Sequence, residues 1–378
     1  MRFTSRRSFW RRAFEAASIS EVTALSAGIG SCSLTEASGN YNVVASYAGD
    51  GNYTQANGFV TESVSNATPS VTVSPSANPA RDPGSVTYTV TVSGAAGFTP
   101  TGSVSVSDGT TSCLFVLSAG SGHCALVEQA GSYTIGATYS GDGNDSTATG
   151  TLSEAVDKAL PAVSVRPSAD PSSKPGPVTY SVTATGLSGF AISGSVTVSD
   201  GTRSCTIPTF TGSGGCALDE PAGGFTVKAT YSGNSNYLPA LASVAETVEK
   251  ATPTVKVTAS ADPAPKPEAV TYTVTVTGVA GFPPTGTVSI SDGHHSCAAT
   301  VATSGKAACA ISEAAGTYTV TAKYSGSSNY NAASATLKET VKAALKSGAL
   351  GRGWRHQYPA SHLGPLGVLS PVSFRLRP

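Results

Sequence analysis

The chain has 378 residues, and its 23 lysines and arginines are balanced by 23 aspartates and glutamates. Charged residues make up only 12% of the chain, and the hydrophobic content of 39% suffices for packed cores, which excludes a long disordered chain. No run of about 18 apolar residues exists, so no membrane span is predicted.

Residues 1–21 share no pattern with the rest of the chain and carry five arginines among the first twelve positions. We expect this segment to be disordered or foreign to the fold, with one helix candidate over 11–17. It contains no recognisable signal peptide, because Glu15 and Glu21 interrupt any apolar stretch. The arginines around Trp10 are the best candidate contact for nucleic acid or anionic lipid, but a segment outside the fold gives this alternative little support.

A 92-residue period organises the middle of the chain. Asp108, Asp200 and Asp292 stand at the same place in successive copies of a Gly-x-Val-x-x-Ser-Asp-Gly motif. Three full copies are predicted at 67–158, 159–250 and 251–342, preceded by a partial copy at 22–66 that matches only the second half of a repeat. We expect the basic, Gly/Pro-rich tail at 343–378 to be disordered.

The charge is unevenly distributed. Both ends are basic, so that residues 21–345 contain 13 basic and 22 acidic residues, a net charge of −9. A mildly acidic body without a basic stripe argues against nucleic acid as a partner of the repeats.

The first full copy alternates apolar and polar residues with a period of two. Val86, Tyr88 and Val90, for example, are separated by single threonines. Short strands are predicted at 70–74, 85–93, 101–107, 112–117, 123–127, 132–140 and 147–156. Seven such strands separated by turns indicate an all-β fold, an antiparallel β-sandwich.

Three segments of the last copy resemble the group 3 bacterial immunoglobulin-like repeat. They read ATPTVKV at 251–257, PTGTVSISDG at 284–293 and GTYTVTAKYSG at 316–326. The closing YAGDGNY at 47–53 and YSGNSNY at 231–237 are similar to that family as well. The resemblance implies tandem immunoglobulin-like sandwiches in exported or surface bacterial proteins. It implies no catalytic residues and no cofactor, and Tyr133 is a candidate for the tyrosine corner of such folds.

Six of the seven cysteines form pairs within repeats, either 11 or 12 positions apart. The pairs are Cys113 with Cys124, Cys205 with Cys216, and Cys297 with Cys309. Each pair flanks a Gly/Ser turn, so we expect the two cysteines to face each other on neighbouring strands of a hairpin, as disulfides, rather than to bridge two sheets. Zinc binding and reduced buried thiols are the alternatives. The remaining Cys32 has Glu21 at its expected partner position.

No reaction chemistry repeats with the period. The five histidines, at positions 123, 294, 295, 356 and 362, are not shared among copies, so no hydrolytic triad is indicated. The Asp-Gly pairs fit hairpin turns. Asp142 to Asp145 offers oxygen ligands for calcium, but the segment also fits a simple turn. We predict no metal, no cofactor and no enzyme activity.

Aromatic residues recur in two loops at the end of each sandwich where the chain enters. Phe190 and Phe282 lie in one loop, and Tyr237 and Tyr330 lie in the other. Since the linkers are short, these residues are predicted to contact the preceding domain and limit bending. The alternative is that each ring only covers the core of its own domain.

These features predict a non-catalytic array from an exported bacterial protein, extracellular or at the cell surface, acting as a stalk or adhesion module. A possible partner is a cell-surface protein or a glycan. The alternative is a carbohydrate- or ligand-binding accessory module of a larger secreted enzyme or adhesin.

Overall fold

A computed structural model describes residues 2–4, 20–22, 24–265 and 267–344. These residues form 25 strands in seven antiparallel sheets and no helix, so the all-β prediction is confirmed. The helix candidate at 11–17 and the tail beyond residue 344 lie outside the described residues.

By their contacts, the described residues form two compact units. The larger runs up to Pro253 and includes two loops of the last repeat, Thr277–Pro284 and Gly326–Ala332. The smaller contains Thr254–Val276, Thr285–Ser325 and the described residues from Ala333 onwards.

The first sandwich packs a three-stranded sheet, β5-β6-β9, against a four-stranded sheet, β11-β10-β7-β8. Its strands are β5 (Ser70–Pro75), β6 (Gly84–Ser93), β7 (Ser103–Ser107), β8 (Ser112–Val116), β9 (Ser121–Glu128), β10 (Gly131–Tyr139) and β11 (Ala148–Val156).

The second sandwich has the same order, with sheets β12-β13-β16 and β15-β14-β17-β18. Its strands are β12 (Ala162–Pro167), β13 (Gly176–Thr185), β14 (Gly194–Ser199), β15 (Ser204–Phe210), β16 (Ser213–Glu220), β17 (Gly223–Tyr231) and β18 (Ala240–Val248).

The third sandwich repeats it again, with sheets β19-β20-β23 and β22-β21-β24-β25. Its strands are β19 (Thr254–Ala259), β20 (Ala269–Thr277), β21 (Thr287–Ser291), β22 (Ser296–Thr300), β23 (Lys306–Ser312), β24 (Gly316–Tyr324) and β25 (Ala333–Val341).

The core of each sandwich follows from the alternation. On β6, Val86, Tyr88 and Val90 are buried, while the threonines between them face outwards or lie at the margin. Burial of each such side chain contributes about 1.5–3 kcal/mol. The buried tyrosines Tyr88, Tyr180 and Tyr272 occupy one position of the period, so the three cores are built to the same plan.

The partial repeat forms a single sheet in the order β2-β1-β3-β4, from β1 (Arg2–Thr4), β2 (Ser20–Val22), β3 (Gly39–Tyr47) and β4 (Ala56–Val64). The expectation of disorder for residues 1–21 therefore does not hold for β1 or for the start of β2, because β1 pairs with β3 and β2 pairs with β1. The rest of that segment lies outside the described residues. Val60, which pairs with Val43, is 59% exposed.

The disulfides lie differently from the hairpin arrangement predicted for them. Cys113 is on β8, at the edge of the four-stranded sheet, whereas Cys124 is on β9, at the edge of the other sheet. Their Cα atoms are 6.1 Å apart, and the equivalent pairs are 6.0 and 6.1 Å apart. The prediction of a bridge within one hairpin was wrong, because the chain crosses between sheets at this turn and the bond joins the two sheets.

Candidate functional site at the junctions between repeats

The linker before each sandwich is bound to the loop between its last two strands. Ala67, Ala159 and Ala251 form parallel bridges with Asp145, Tyr237 and Tyr330. At each bridge the alanine N–H donates to the carbonyl of an asparagine, at 2.8–3.0 Å. The entering chain therefore begins as an extension of the new domain.

The same asparagine also reaches the preceding repeat. The side-chain Oδ1 of Asn236 accepts the backbone N–H of Ala130 at 3.0 Å. Asn144 accepts the N–H of Ser38 at 3.0 Å, and Asn329 accepts that of Ala222 at 2.9 Å. Asn329 lies in a loop that belongs to the same compact unit as Ala222. We call these three contacts the asparagine clamp.

Two of the three clamped amides lie at a corner that a tyrosine fixes. Tyr133 donates its hydroxyl to the carbonyl of Gln129 at 2.8 Å, next to Ala130. Tyr41 makes the corresponding bond to Ala37 at 2.6 Å. This is the geometry expected of a tyrosine corner, and burial raises the pKa of Tyr133. The second sandwich has Phe225 at this position and lacks the bond.

A side chain of each linker makes a further hydrogen bond to the same loop. The ammonium group of Lys158 donates to the carbonyl of Asn234 at 2.7 Å, and that of Lys250 donates to the carbonyl of Ser327 at 2.8 Å. Asn66, one period earlier, donates to the carbonyl of Asp142 at 3.4 Å. Linker and loop are thus joined by main-chain and side-chain hydrogen bonds at all three junctions.

The predicted contact tyrosines bond within their own repeat. The Tyr237 hydroxyl accepts the N–H of Leu187 at 2.7 Å and donates to the carbonyl of Phe190 at 2.9 Å. Tyr330 bonds Val279 and Phe282 in the same way. Both rings are buried, so these residues position the Gly-Phe loop from inside.

Phe190 packs against the core of its own sandwich and also lines a shallow cleft. Val127 and Gln129 of the first sandwich and Asn236 of the second also line this cleft. Phe282 is half-buried, and its carbonyl accepts the Tyr330 hydroxyl.

The first sandwich replaces this tyrosine with Asp145, which is buried. Its Oδ1 accepts the N–H of Ala95 at 2.9 Å, which is the position equivalent to Leu187. A carboxylate cannot donate, so the bond to the phenylalanine carbonyl has no counterpart here.

The Asp142 loop has the geometry of a turn. Its carboxylate accepts the amides of Asn144 at 2.8 Å, Asp145 at 2.9 Å and Thr101 at 2.8 Å. Partial burial opposes ionisation, but these donors outweigh it and hold the pKa of Asp142 well below its usual range. Among the described residues, no cluster of histidine, cysteine and carboxylate side chains is arranged to hold a metal ion.

The Asp-Gly motifs are turns too. Asp108 accepts the amides of Thr110 and Thr111, and these bonds outweigh burial and lower the pKa of Asp108. Asp200 and Asp292 make the same pattern. In the part of the chain that the structure describes, Cys32 is the one cysteine outside a disulfide.

Sequence reasoning missed the asparagine clamp. No contact between repeats was predicted from the sequence for Asn144, Asn236 or Asn329, although they recur with nearly the repeat spacing and stand next to the linker contact. That recurrence was the signal.

Together the sheets, disulfides and junctions define an array of immunoglobulin-like sandwiches joined in tandem. The described residues contain no helix long and apolar enough to cross a membrane. Residues 252–342 match the family described as bacterial Ig-like domain (group 3), which confirms the resemblance seen in the sequence.

Several solved structures are similar. Titin domains A168–A170 share 14% identity, covering 74% of this chain and all of that one, with a TM-score of 0.30. Sidekick-1 immunoglobulin domains 1–5 share 15% identity over 81% of this chain and 67% of that one, with a TM-score of 0.28. The fibronectin(III)-like modules of Clostridium thermocellum CbhA share 15% identity, covering 51% of this chain and 100% of that one, with a TM-score of 0.22. No curated protein matches the chain.

Proposed function

We propose that the chain is a non-catalytic spacer of an exported bacterial protein, which holds other parts of that protein apart by limiting bending between its domains. The observation that carries the proposal is the asparagine clamp. The same side-chain acceptor meets the same backbone donor at three successive junctions, spaced by the repeat. A net contribution of about 0.5–1.5 kcal/mol per hydrogen bond is small for folding, but it suffices to favour one junction geometry.

The disulfides support export. Three bridges in small sandwiches form and persist in oxidising compartments and are rare in the reducing cytosol. Each bridge joins the edges of two sheets. It therefore resists separation of these sheets when the spacer is under load.

The surface favours a spacer over a binding module. The exposed large apolar side chains of the described residues include two aromatic rings, Tyr53 and Phe59, and both precede the first complete sandwich. The outward faces of the sandwiches carry serine and threonine rather than rows of aromatic rings, which ligand pockets use for contact area.

Two measurements on the full chain test this proposal. Thiol titration of the freshly exported protein under denaturing, non-reducing conditions should find one reactive thiol, that of Cys32. Screening on glycan and surface-protein arrays should find no ligand. Seven reactive thiols would contradict the export claim. A saturable glycan ligand, competed by the free sugar, would contradict the spacer role and favour the accessory-module alternative.

A further inference from the structure

Each complete sandwich contains a buried cluster of carboxyl groups that the junctions do not use. A core tyrosine donates its hydroxyl to a glutamate, and a second glutamate lies beside them on the last strand. The tyrosine–glutamate pairs are Tyr88–Glu128 at 3.4 Å, Tyr180–Glu220 at 2.9 Å and Tyr272–Glu313 at 2.7 Å. The second glutamates are Glu154, Glu246 and Glu339.

The second glutamates are almost completely buried, with exposed fractions of 2%, 1% and 0%. Neither carboxyl oxygen of Glu154 or of Glu339 has a hydrogen-bond partner among the described residues. A buried ionised carboxylate without partners is costly, whereas the neutral acid is much less so.

The charges around Glu339 are all of one sign. Glu313 faces it from the end of β23, and Asp262 faces it from the turn after β19. Asp292, in the turn after β21, adds negative charge near Tyr272, and its own partner is His295 at 3.4 Å. No lysine or arginine of the described residues forms an ion pair with Glu313 or Glu339.

The second sandwich is arranged alike. Glu220 and Asp170 place negative charge near Glu246. Arg203 pairs with Asp200 at 3.1 Å, and its charge also acts on Glu220.

Two buried carboxyl groups near one another cannot both ionise without large repulsion. Burial, followed by the charges of Asp262 and Glu313, raises the pKa of Glu339 to about 7. Burial likewise raises the pKa of Glu154 and of Glu246.

We propose that each complete sandwich is a proton switch: a neutral second glutamic acid closes the end of the core, and its ionisation opens that end. On opening, we expect the hydrogen bonds between the last strand and the segment after the first strand to break. In the third sandwich, Ala264 donates to the carbonyl of Thr340 and Lys342 donates to that of Ala264, both at 2.8 Å and next to Glu339 in sequence. The switch acts inside single sandwiches and does not depend on the spacer role.

The direction of the response follows from the raised pKa. The closed state binds the proton more tightly than the open state, so closure is most favoured below pH 4.5 and is lost as the pH rises through about 7. For a group whose pKa falls from about 7 to 4.5 on opening, the opening constant should rise roughly 30-fold between pH 5.5 and 8.5.

Hydrogen exchange of the full chain tests the switch. The Ala264 and Lys342 amides are followed at pH 5.5 and 8.5, with intrinsic exchange rates corrected at each pH. We expect the roughly 30-fold increase in the wild type and a flat response in Glu339→Gln, which cannot ionise. The exposed control Glu249→Gln should behave as the wild type. A flat wild-type response, or an unchanged response in Glu339→Gln, would overturn the proposal.

A second measurement covers the case in which Glu339→Gln does not fold. Carboxyl ¹³C titration of the wild type should show at least one glutamate per complete sandwich that titrates above its ordinary value. If every glutamate titrated near its ordinary value, the proposal would be overturned regardless of the variant.

Discussion

The backbone N–H of Ala130 donates to the side-chain Oδ1 of Asn236 at 3.0 Å, across 106 positions of sequence. The carbonyl of the same asparagine accepts the N–H of Ala159 in the linker. One residue therefore binds both the end of one sandwich and the chain that enters the next. That double role explains how a short linker can be held in a defined conformation by hydrogen bonds.

Replacement of Asn236 by alanine removes the acceptor of the Ala130 amide. We expect exchange of that amide to accelerate by about 2- to 10-fold, the equivalent of one hydrogen bond of about 0.5–1.5 kcal/mol. Asn236→Asp keeps an acceptor oxygen and should retain protection. The exposed Asn57→Ala is the matched control. Equal exchange rates of the Ala130 amide in the wild type and Asn236→Ala would show that the hydrogen bond does not stabilise the junction.

Replacement of Tyr237 by phenylalanine removes the buried hydroxyl that accepts the Leu187 N–H and donates to the Phe190 carbonyl. We expect the second sandwich to lose about 1–3 kcal/mol of stability. Hydrogen exchange under mild denaturant resolves this loss for its core amides. Tyr53→Phe, at a ring that is 70% exposed, should change nothing. A loss common to both variants would contradict the assigned role.

At Gly186 the Tyr237 ring leaves no space for a side chain. A Cβ at this position would lie 2.2 Å from the Tyr237 hydroxyl oxygen, so Gly186→Ala should destabilise the second sandwich by about 1–3 kcal/mol. Gly58→Ala adds a Cβ in open space and should stay within about 0.5 kcal/mol of the wild type. Thermal unfolding compares the two, and similar melting curves would contradict the packing described.

Removal of the second disulfide, by Cys205→Ala with Cys216→Ala, frees a loop of 11 positions. On the chain-entropy model this costs about 3 kcal/mol of stability. Urea unfolding monitored by exchange of the β13 amides measures the cost. Cys32→Ser is the control without a bridge and should leave the midpoint unchanged, whereas a double variant as stable as the wild type would refute the bracing role.

Strand positions were predictable from sequence because one face of every strand is buried. Strand β6 was predicted at 85–93 and is observed at Gly84–Ser93, since Val86, Tyr88 and Val90 specify both its period and its inward face. The sheet in which a strand lies was harder to predict. Cys113 and Cys124 flank a short turn, which suggests a hairpin, and the crossing to the other sheet depends on the longer-range pairing of β9 with β6.

The junctions were predicted only in part. Aromatic recurrence drew attention to Phe190 and Tyr237, and these residues do lie in the loops beside the linker. The clamp depends instead on a small polar side chain and a main-chain N–H, and neither has a hydropathy signature. Glu339 was also missed, although the alternation places it on the inward face between Leu337 and Val341, because a glutamate has no apolar character to mark a core position.

Small-angle X-ray scattering of the full chain tests the central claim, that the clamp limits bending between domains. The wild type is compared with a variant in which Asn144, Asn236 and Asn329 are all alanine, and with Asn57→Ala. The account predicts a broader distance distribution and greater flexibility for the triple variant alone, with unchanged β-sheet circular dichroism. Scattering profiles that superimpose for all three proteins would contradict it.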